Sequence, residues 1–170
     1  MAWGIIVFMK TTFPTPIEYD LDLEIRPTIN AVIAYEDLAT GKRAKEICNY
    51  FSNHLDGDCE VKYDIWRFDV LADPRLKKIA VLDAVSADII VIALRGDRDL
   101  SIDVKTWIGL WLQQKNRPSD ILLALFGHEH EKSSMMASNL RYLRNVAARG
   151  NMKFFTQDVE LCERNENVYC

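Results

Sequence analysis

The residues from Ala87 to Leu94 form an apolar run, ADIIVIAL, that is interrupted only by Asp88. A strand with one face in water alternates apolar and polar residues, and this run does not. It therefore predicts a strand buried on both faces, which is typical of the middle of a parallel sheet between two layers of helices. Arg95-Gly96-Asp97 follows the run and indicates a turn.

Shorter apolar runs lie on both sides of this central strand, and each is separated from the next by one helix-length segment. Strands that alternate with helices through short loops are joined by right-handed crossovers into a parallel sheet. The sequence thus predicts an α/β fold of three layers, with a doubly wound parallel sheet of five strands in the order 2-1-3-4-5. The other predicted strands are 29–35, 61–68, 120–126 and 153–156.

The predicted helices span residues 42–55, 102–114 and 135–149, and a further helix begins at Asp73-Pro74. Apolar residues three or four positions apart mark the face that each helix buries. We expect Ser101 and Ser133 to cap helices, and Gly150 to end the last helix in a left-handed conformation. In the helix that begins at Asp73-Pro74, the residues expected to point inward are Leu76, Ile79, Ala80 and Leu82.

The chain is predicted to have three parts: an arm (1–28), the α/β domain (29–157) and a polar tail (158–170). Within the arm, apolar and charged residues alternate from Ile17 to Ile25. This pattern predicts an additional, half-exposed strand that pairs with a sheet edge or with another subunit.

Composition restricts the partners of the protein. A net charge of −4 over 170 residues argues against nucleic acid, because phosphate binding needs a basic surface. No apolar stretch approaches the roughly 18 residues of a membrane span, so no membrane partner is expected. The N-terminus lacks the features of a secretory signal, and the expected location is cytoplasmic.

The carboxyl ends of the strands near the order switch are the expected place for a site in this fold. The loops there are predicted at 36–41, 95–101 and 127–134. Glu36 and Asp37 follow the first strand, and adjacent carboxylates suit a divalent cation such as Mg²⁺. The alternative is a solvated turn in which Asp37 caps the next helix. Asp97 and Asp99 are candidate ligands from the second loop.

The third loop contains His128 and His130, which point the same way in an extended segment and form a candidate metal site. A third ligand would come from Asp97 or Asp99. The alternative is an exposed, charged loop without a metal.

Three segments resemble response-regulator receiver domains: Val32–Asp37 with its acidic pair, Asp88–Arg95, and Gly150–Gln157. The resemblance places the phosphoacceptor position at Ala93 and the receiver lysine at Gln157, and Leu125 or Phe126 replaces the hydroxyl. Because alanine has no nucleophile, the resemblance implies a degenerate receiver that is not phosphorylated.

A second resemblance, to flavodoxins and FMN-dependent reductases, rests on Ala39-Thr40-Gly41-Lys42 before a helix and on Ala87–Leu112. It implies an FMN phosphate held by Thr40, Gly41 and Lys42 at the helix N-terminus. Glu36 and Leu38 stand where phosphate-binding hydroxyls would be wanted. The chain also resembles small bacterial proteins of this flavodoxin-like fold.

The function that these features favour is a non-catalytic, receiver-like regulatory or protein-interaction domain that lacks the phosphoacceptor aspartate. Its expected partner is another protein or a second copy in a dimer, and a small-molecule ligand at the strand ends is left open. The alternatives are an FMN-binding oxidoreductase and, third, a metal-dependent enzyme that uses the 128–131 loop. FMN or a divalent cation is compatible with the sequence, and neither is demanded.

Overall fold

The computed structural model describes residues 27–54, 59–115, 117, 120–127 and 133–158. Residues 17–25, predicted as an amphipathic strand, and residues 159–170 of the predicted tail lie outside this part. The elements in chain order are β1 (Thr28–Tyr35), α1 (Leu38–His54), β2 (Glu60–Arg67), a 3₁₀ helix (Phe68–Ala72), α2 (Pro74–Ser86), β3 (Ile89–Leu94), α3 (Ile102–Gln114), β4 (Ile121–Phe126), α4 (Ser134–Arg149) and β5 (Lys153–Asp158).

The five strands form one sheet in the order β2-β1-β3-β4-β5, and all neighbouring strands are parallel. The predicted fold and strand order are therefore confirmed. β3 pairs with β1 on one side and β4 on the other, with Val91 opposite Ile33 and Leu123. Residues 90–94 are at most 1% exposed, as the unbroken apolar run predicts.

Helices cover the two faces of the sheet unequally. On one face, residues of α2, α3 and α4 form the larger core, where Trp107 and Trp111 pack edge to face with ring centroids 6.0 Å apart. On the other face, Ala44 and Ile47 of α1 pack against the middle strands. The described residues provide no second helix for this face, and Phe155 of β5 is 52% exposed. None of the described helices is long and apolar enough to cross a membrane.

Helix α1 begins at Leu38, four residues before the predicted start at Lys42. The difference arises because Asp37 and Thr40 bond reciprocally, each side chain accepting a hydrogen bond from the other residue's backbone N–H. Asp37 is therefore a helix cap, which was the alternative interpretation of the acidic pair. Thr40 and Gly41 consequently lie in the first helical turn and not in a loop.

The face of α2 that is buried against the core is not the predicted one. Ala80 is buried as expected, but Leu76, Ile79 and Leu82 are 38%, 49% and 58% exposed. The prediction that these three point inward is wrong. Because the small residues Ala80 and Ala84 let α2 pack closely on the core, the helix turns its larger apolar side chains outward.

The end of α4 also differs in detail. Gly150 has φ −85°, and the left-handed residue is Asn151 with φ 52°. The prediction that Gly150 is left-handed is therefore wrong. Glycine is needed here for packing instead, because a Cβ at Gly150 would lie 2.9 Å from a methyl group of Leu112. Asparagine tolerates the left-handed region. The predicted caps are confirmed, because Ser101 and Ser133 accept hydrogen bonds from Val104 N and Met136 N.

A buried ion pair joins the end of α2, the end of α3 and the start of β4 at the edge of the sheet where the strands begin. The Lys115 side chain is fully buried, and its Nζ lies 2.7 Å from Oδ2 of Asp120, just before β4. Nζ also donates to the carbonyls of Ala84, Val85 and Ala87 at the end of α2. Desolvation lowers the pKa of Lys115 although the Asp120 carboxylate opposes the shift.

Replacing Lys115 with methionine leaves the Asp120 carboxylate buried without its ammonium partner and removes the donor to three carbonyls. We expect Lys115→Met to lower the free energy of unfolding by about 3–5 kcal/mol in urea titrations. The matched control is Lys42→Met, because Lys42 is exposed and its pair with Glu46 spans 3.9 Å. That change should cost no more than about 0.5 kcal/mol. A loss below about 1 kcal/mol for Lys115→Met would contradict the account.

Candidate functional site

The predicted first and second loops meet where β1 and β3 end. The backbone N–H of Glu36 donates to the Ala93 carbonyl over 2.9 Å, which continues the β1–β3 pairing beyond Tyr35. The ends of the third loop also adjoin this place, since Gly127 N donates to the Leu94 carbonyl and the Ser133 hydroxyl donates to the Gly96 carbonyl. The loops predicted to form a site at the order switch therefore lie next to one another in the structure, and we call the space between them the cleft.

Glu36 is held by both of its carboxylate oxygens. Oε2 accepts a hydrogen bond from the backbone N–H of Arg95 over 2.8 Å, and Oε1 lies 2.9 Å from Nε of Arg98. The side chain is only 15% exposed. A hydrogen bond to one oxygen and an ion pair to the other make this carboxylate the link between the end of β1 and the loop after β3.

Asp37 and Asp97 extend these contacts into a network. Arg95 lies 3.2 Å from an oxygen of Asp97 and 3.9 Å from one of Asp37, while Arg98 is 3.7 Å from the other Asp97 oxygen. We call Glu36, Asp37, Arg95, Asp97 and Arg98 the cleft network. Its three carboxylates face two guanidinium groups, so most of the negative charge is balanced within the protein.

Asp99, the other predicted ligand of the second loop, lies apart from the network. Its carboxylate is 2.7 Å from Nζ of Lys105, and both side chains are partly exposed. Among the described residues, no three His, Cys, Asp or Glu side chains are grouped so that they could hold a metal ion. His128 and His130 lie outside the described residues, and the metal site stays a prediction.

In the first turn of α1, the donors of Thr40 and Gly41 already have acceptors within the chain. The Thr40 N–H donates to Oδ1 of Asp37 over 2.9 Å, and the Thr40 hydroxyl donates to the Asp37 carbonyl over 2.9 Å. Gly41 N donates to the same carbonyl as a normal helical bond. The Asp37 carboxylate thus already occupies the Thr40 N–H, one of the donors that an anion would use at this helix end.

Gly41 serves packing. A Cβ at this position would lie 2.6 Å from the ring of Tyr35, so only glycine lets the helix approach the end of β1 this closely. Lys42, the next residue, has a side chain that is 80% exposed and pairs with Glu46 on the helix surface. Of the three residues that the flavodoxin resemblance singled out, Thr40 and Gly41 therefore have structural roles in α1, and Lys42 lies on the helix surface.

A shallow depression lies beside the network. Its volume of about 170 Å³ includes space open to solvent, and its lining residues are Thr40, Arg43, Ala93, Leu125, Phe126 and Gly127. Pockets for drug-sized ligands usually measure about 300–1,000 Å³. The described residues of the depression therefore do not by themselves enclose a pocket of that size.

Sequence reasoning missed two arginines of this region, Arg95 and Arg98, as site residues. Arg95 and Arg98 neutralise the acidic residues, and Arg43 borders the depression. The available signal was the alternation of charges in Arg95-Gly96-Asp97-Arg98-Asp99, since opposite charges next to candidate ligands suggest internal ion pairs.

No protein-family model and no curated protein sequence matches this chain. Among solved structures, the chain is similar to one titled "Structure of a Short-Chain Flavodoxin Associated with a Non-Canonical PDU Bacterial Microcompartment". The two share 12% sequence identity with a TM-score of 0.54, over 78% of this chain and 84% of that one. The chain has a flavodoxin-like fold. Similarity at this identity shows the fold alone, and the resemblance to receiver domains stays a prediction.

The packing role of Gly41 can be tested against a second helical glycine. A methyl group at Gly41 would clash with the Tyr35 ring, and we expect Gly41→Ala to lower the free energy of unfolding by about 1–3 kcal/mol. Gly109 in α3 has no atom within 4 Å of an added Cβ, so Gly109→Ala should stabilise the protein by about 0.5–1 kcal/mol. Urea titration of both variants measures the difference. Equal effects of the two substitutions would show that Gly41 is not a packing glycine.

Proposed function

We propose that this protein is a non-catalytic, receiver-like domain that acts in regulation or in protein interaction. The observation that carries the proposal is the cleft network, in which Arg95 and Arg98 occupy the carboxylates at the end of β1. A site whose acidic groups are already paired within the chain has little capacity left for binding a cation or for proton transfer. The function is then exerted through contacts of the protein surface.

The position of Ala93 supports the receiver-like part of the proposal. Ala93 lies at the end of β3, opposite Tyr35 of β1 and Leu125 of β4, and its carbonyl accepts from Glu36 N. A residue here is next to the acidic pair, which is where the receiver resemblance puts the phosphoacceptor. The methyl group of alanine cannot attack a phosphoryl group, so signalling by aspartyl phosphorylation is excluded from the proposal.

The two guanidinium groups also balance most of the negative charge that would attract a cation to the cleft. Mg²⁺ needs several oxygen ligands at short distance. To use Glu36, it would have to displace Nε of Arg98 from Oε1 and the Arg95 N–H from Oε2. Arginine remains charged at all ordinary pH values, so its side chain balances these carboxylates whether or not a metal ion is available.

The alternatives have weaker support. Similarity to a flavodoxin concerns the fold, and in this chain the Asp37 carboxylate sits at the helix end where an FMN phosphate would bind. Like charges at that place repel, which disfavours an FMN oxidoreductase. The metal-dependent enzyme depends on His128 and His130, which lie outside the described residues.

Flavin binding provides the first test. We expect the purified full chain to be colourless, and titration with FMN up to about 1 mM to produce no saturable change in flavin fluorescence. Thr40→Ala should behave like the wild type. Copurified flavin, or saturable binding that Thr40→Ala weakens, would contradict the proposal and support the oxidoreductase.

Metal content provides the second arm of the same test. Elemental analysis of the purified protein should show no stoichiometric transition metal, and a variant with both His128→Ala and His130→Ala should give the same result. Stoichiometric zinc or manganese that is lost in the double variant would instead support the metal-dependent enzyme.

A further inference from the structure

The outward face of α2 carries large apolar side chains. Leu76, Ile79 and Leu82 are 38%, 49% and 58% exposed, and they follow one another at steps of three residues. No other part of the described chain covers them. Single exposed apolar residues are common, whereas a continuous apolar stripe on one helix indicates a surface that contacts a partner.

Beside this stripe, the basic residues lie near the N-terminus of α2 and the acidic residue lies near its C-terminus. Arg75 and Lys78 lie exposed in the first two turns, and the first turn has no acidic residue. Positive charge at a helix N-terminus is unfavourable because it opposes the helix dipole. Among the described residues, neither side chain forms an ion pair within the chain.

The other end of the same face is acidic. Asp83 accepts a hydrogen bond from the indole of Trp66 over 3.1 Å, which fixes its carboxylate beside the stripe. Burial and the neighbouring Asp64 carboxylate both raise the pKa of Asp83. No lysine or arginine in the described ranges pairs with either carboxylate, so a cation from outside the chain would find an unneutralised site here.

The five residues of this face are arranged symmetrically about Ile79. Leu76 and Leu82 are each three positions away, and Arg75 and Asp83 are each four positions away. In an antiparallel pair of identical helices centred on Ile79, Leu76 of one copy meets Leu82 of the other. Arg75 then meets Asp83, and the same contacts recur on both sides of the two-fold axis.

From this symmetry we infer that α2 is a self-association surface, on which a second copy of the chain docks its own α2 in antiparallel orientation about Ile79. The second copy supplies both the apolar residues that cover the stripe and the charges that complement each end. A parallel arrangement would instead place Arg75 against Arg75. The surface is separate from the cleft network, so the inference goes beyond the proposed function.

Sedimentation velocity of the full chain, over about 1–100 µM, tests the inference. We expect concentration-dependent dimerisation, and we expect Ile79→Glu to weaken it at least tenfold because two carboxylates would meet on the axis. The matched control is Ile102→Glu, since Ile102 is 75% exposed on α3 and lies outside the stripe. Wild-type monomers over the whole range, or equal effects of the two substitutions, would overturn the inference.

A charge exchange tests the antiparallel register. Arg75→Asp and Asp83→Lys should each weaken self-association at least tenfold, because each places like charges in contact. Mixed together, the two variants should form a heterodimer of nearly wild-type affinity, since both charge contacts are then between opposite signs. Far-UV circular dichroism of each variant checks that it is folded. A mixture that associates no better than the separate variants would overturn the register.

Discussion

β3 lies between β1 and β4 with residues 90–94 removed from water on both faces. Such a strand requires apolar neighbours above and below it, which the helices of the larger core and α1 provide. The remaining strands are aligned in parallel with β3, and their carboxyl ends therefore meet at one edge. The position of the cleft is a consequence of this burial and does not depend on any residue in the loops.

The charged residues at the cleft come from the loops alone. Glu36 and Arg98 come from loops far apart in sequence, and the backbone N–H of Arg95 adds a donor that side-chain substitution cannot remove. Together with the Arg95 side chain, these groups balance most of the negative charge at the end of β1 within the chain. This is the physical basis for proposing surface recognition as the function of this flavodoxin-like fold.

Features set by short-range patterns were predictable from the sequence. The unbroken run of β3, the bounds of α3 and the serine caps at Ser101 and Ser133 all agree with the structure. Each depends on residues close together in the chain, where periodicity and hydrogen-bonding capacity are decisive.

Features set by tertiary neighbours were not predictable. Which face of α2 is buried depends on how closely Ala80 and Ala84 approach the core, and hydrophobicity alone favoured the wrong face. Likewise, the partner of Glu36 lies 59 residues along the chain, and no local pattern identifies it. Thr40 and Gly41 fit both a phosphate loop and a helical first turn, and only the contacts with Asp37 and Tyr35 distinguish the two.

We propose that guanidinium groups, and not a cation, balance the carboxylates of the cleft. A crystal structure of the protein soaked in MnCl₂, with anomalous diffraction data, tests it most directly. We expect no manganese peak between Glu36 and Asp37, and we expect Arg98 to remain paired with Glu36. A manganese ion bound to both carboxylates, with Arg98 displaced, would contradict it.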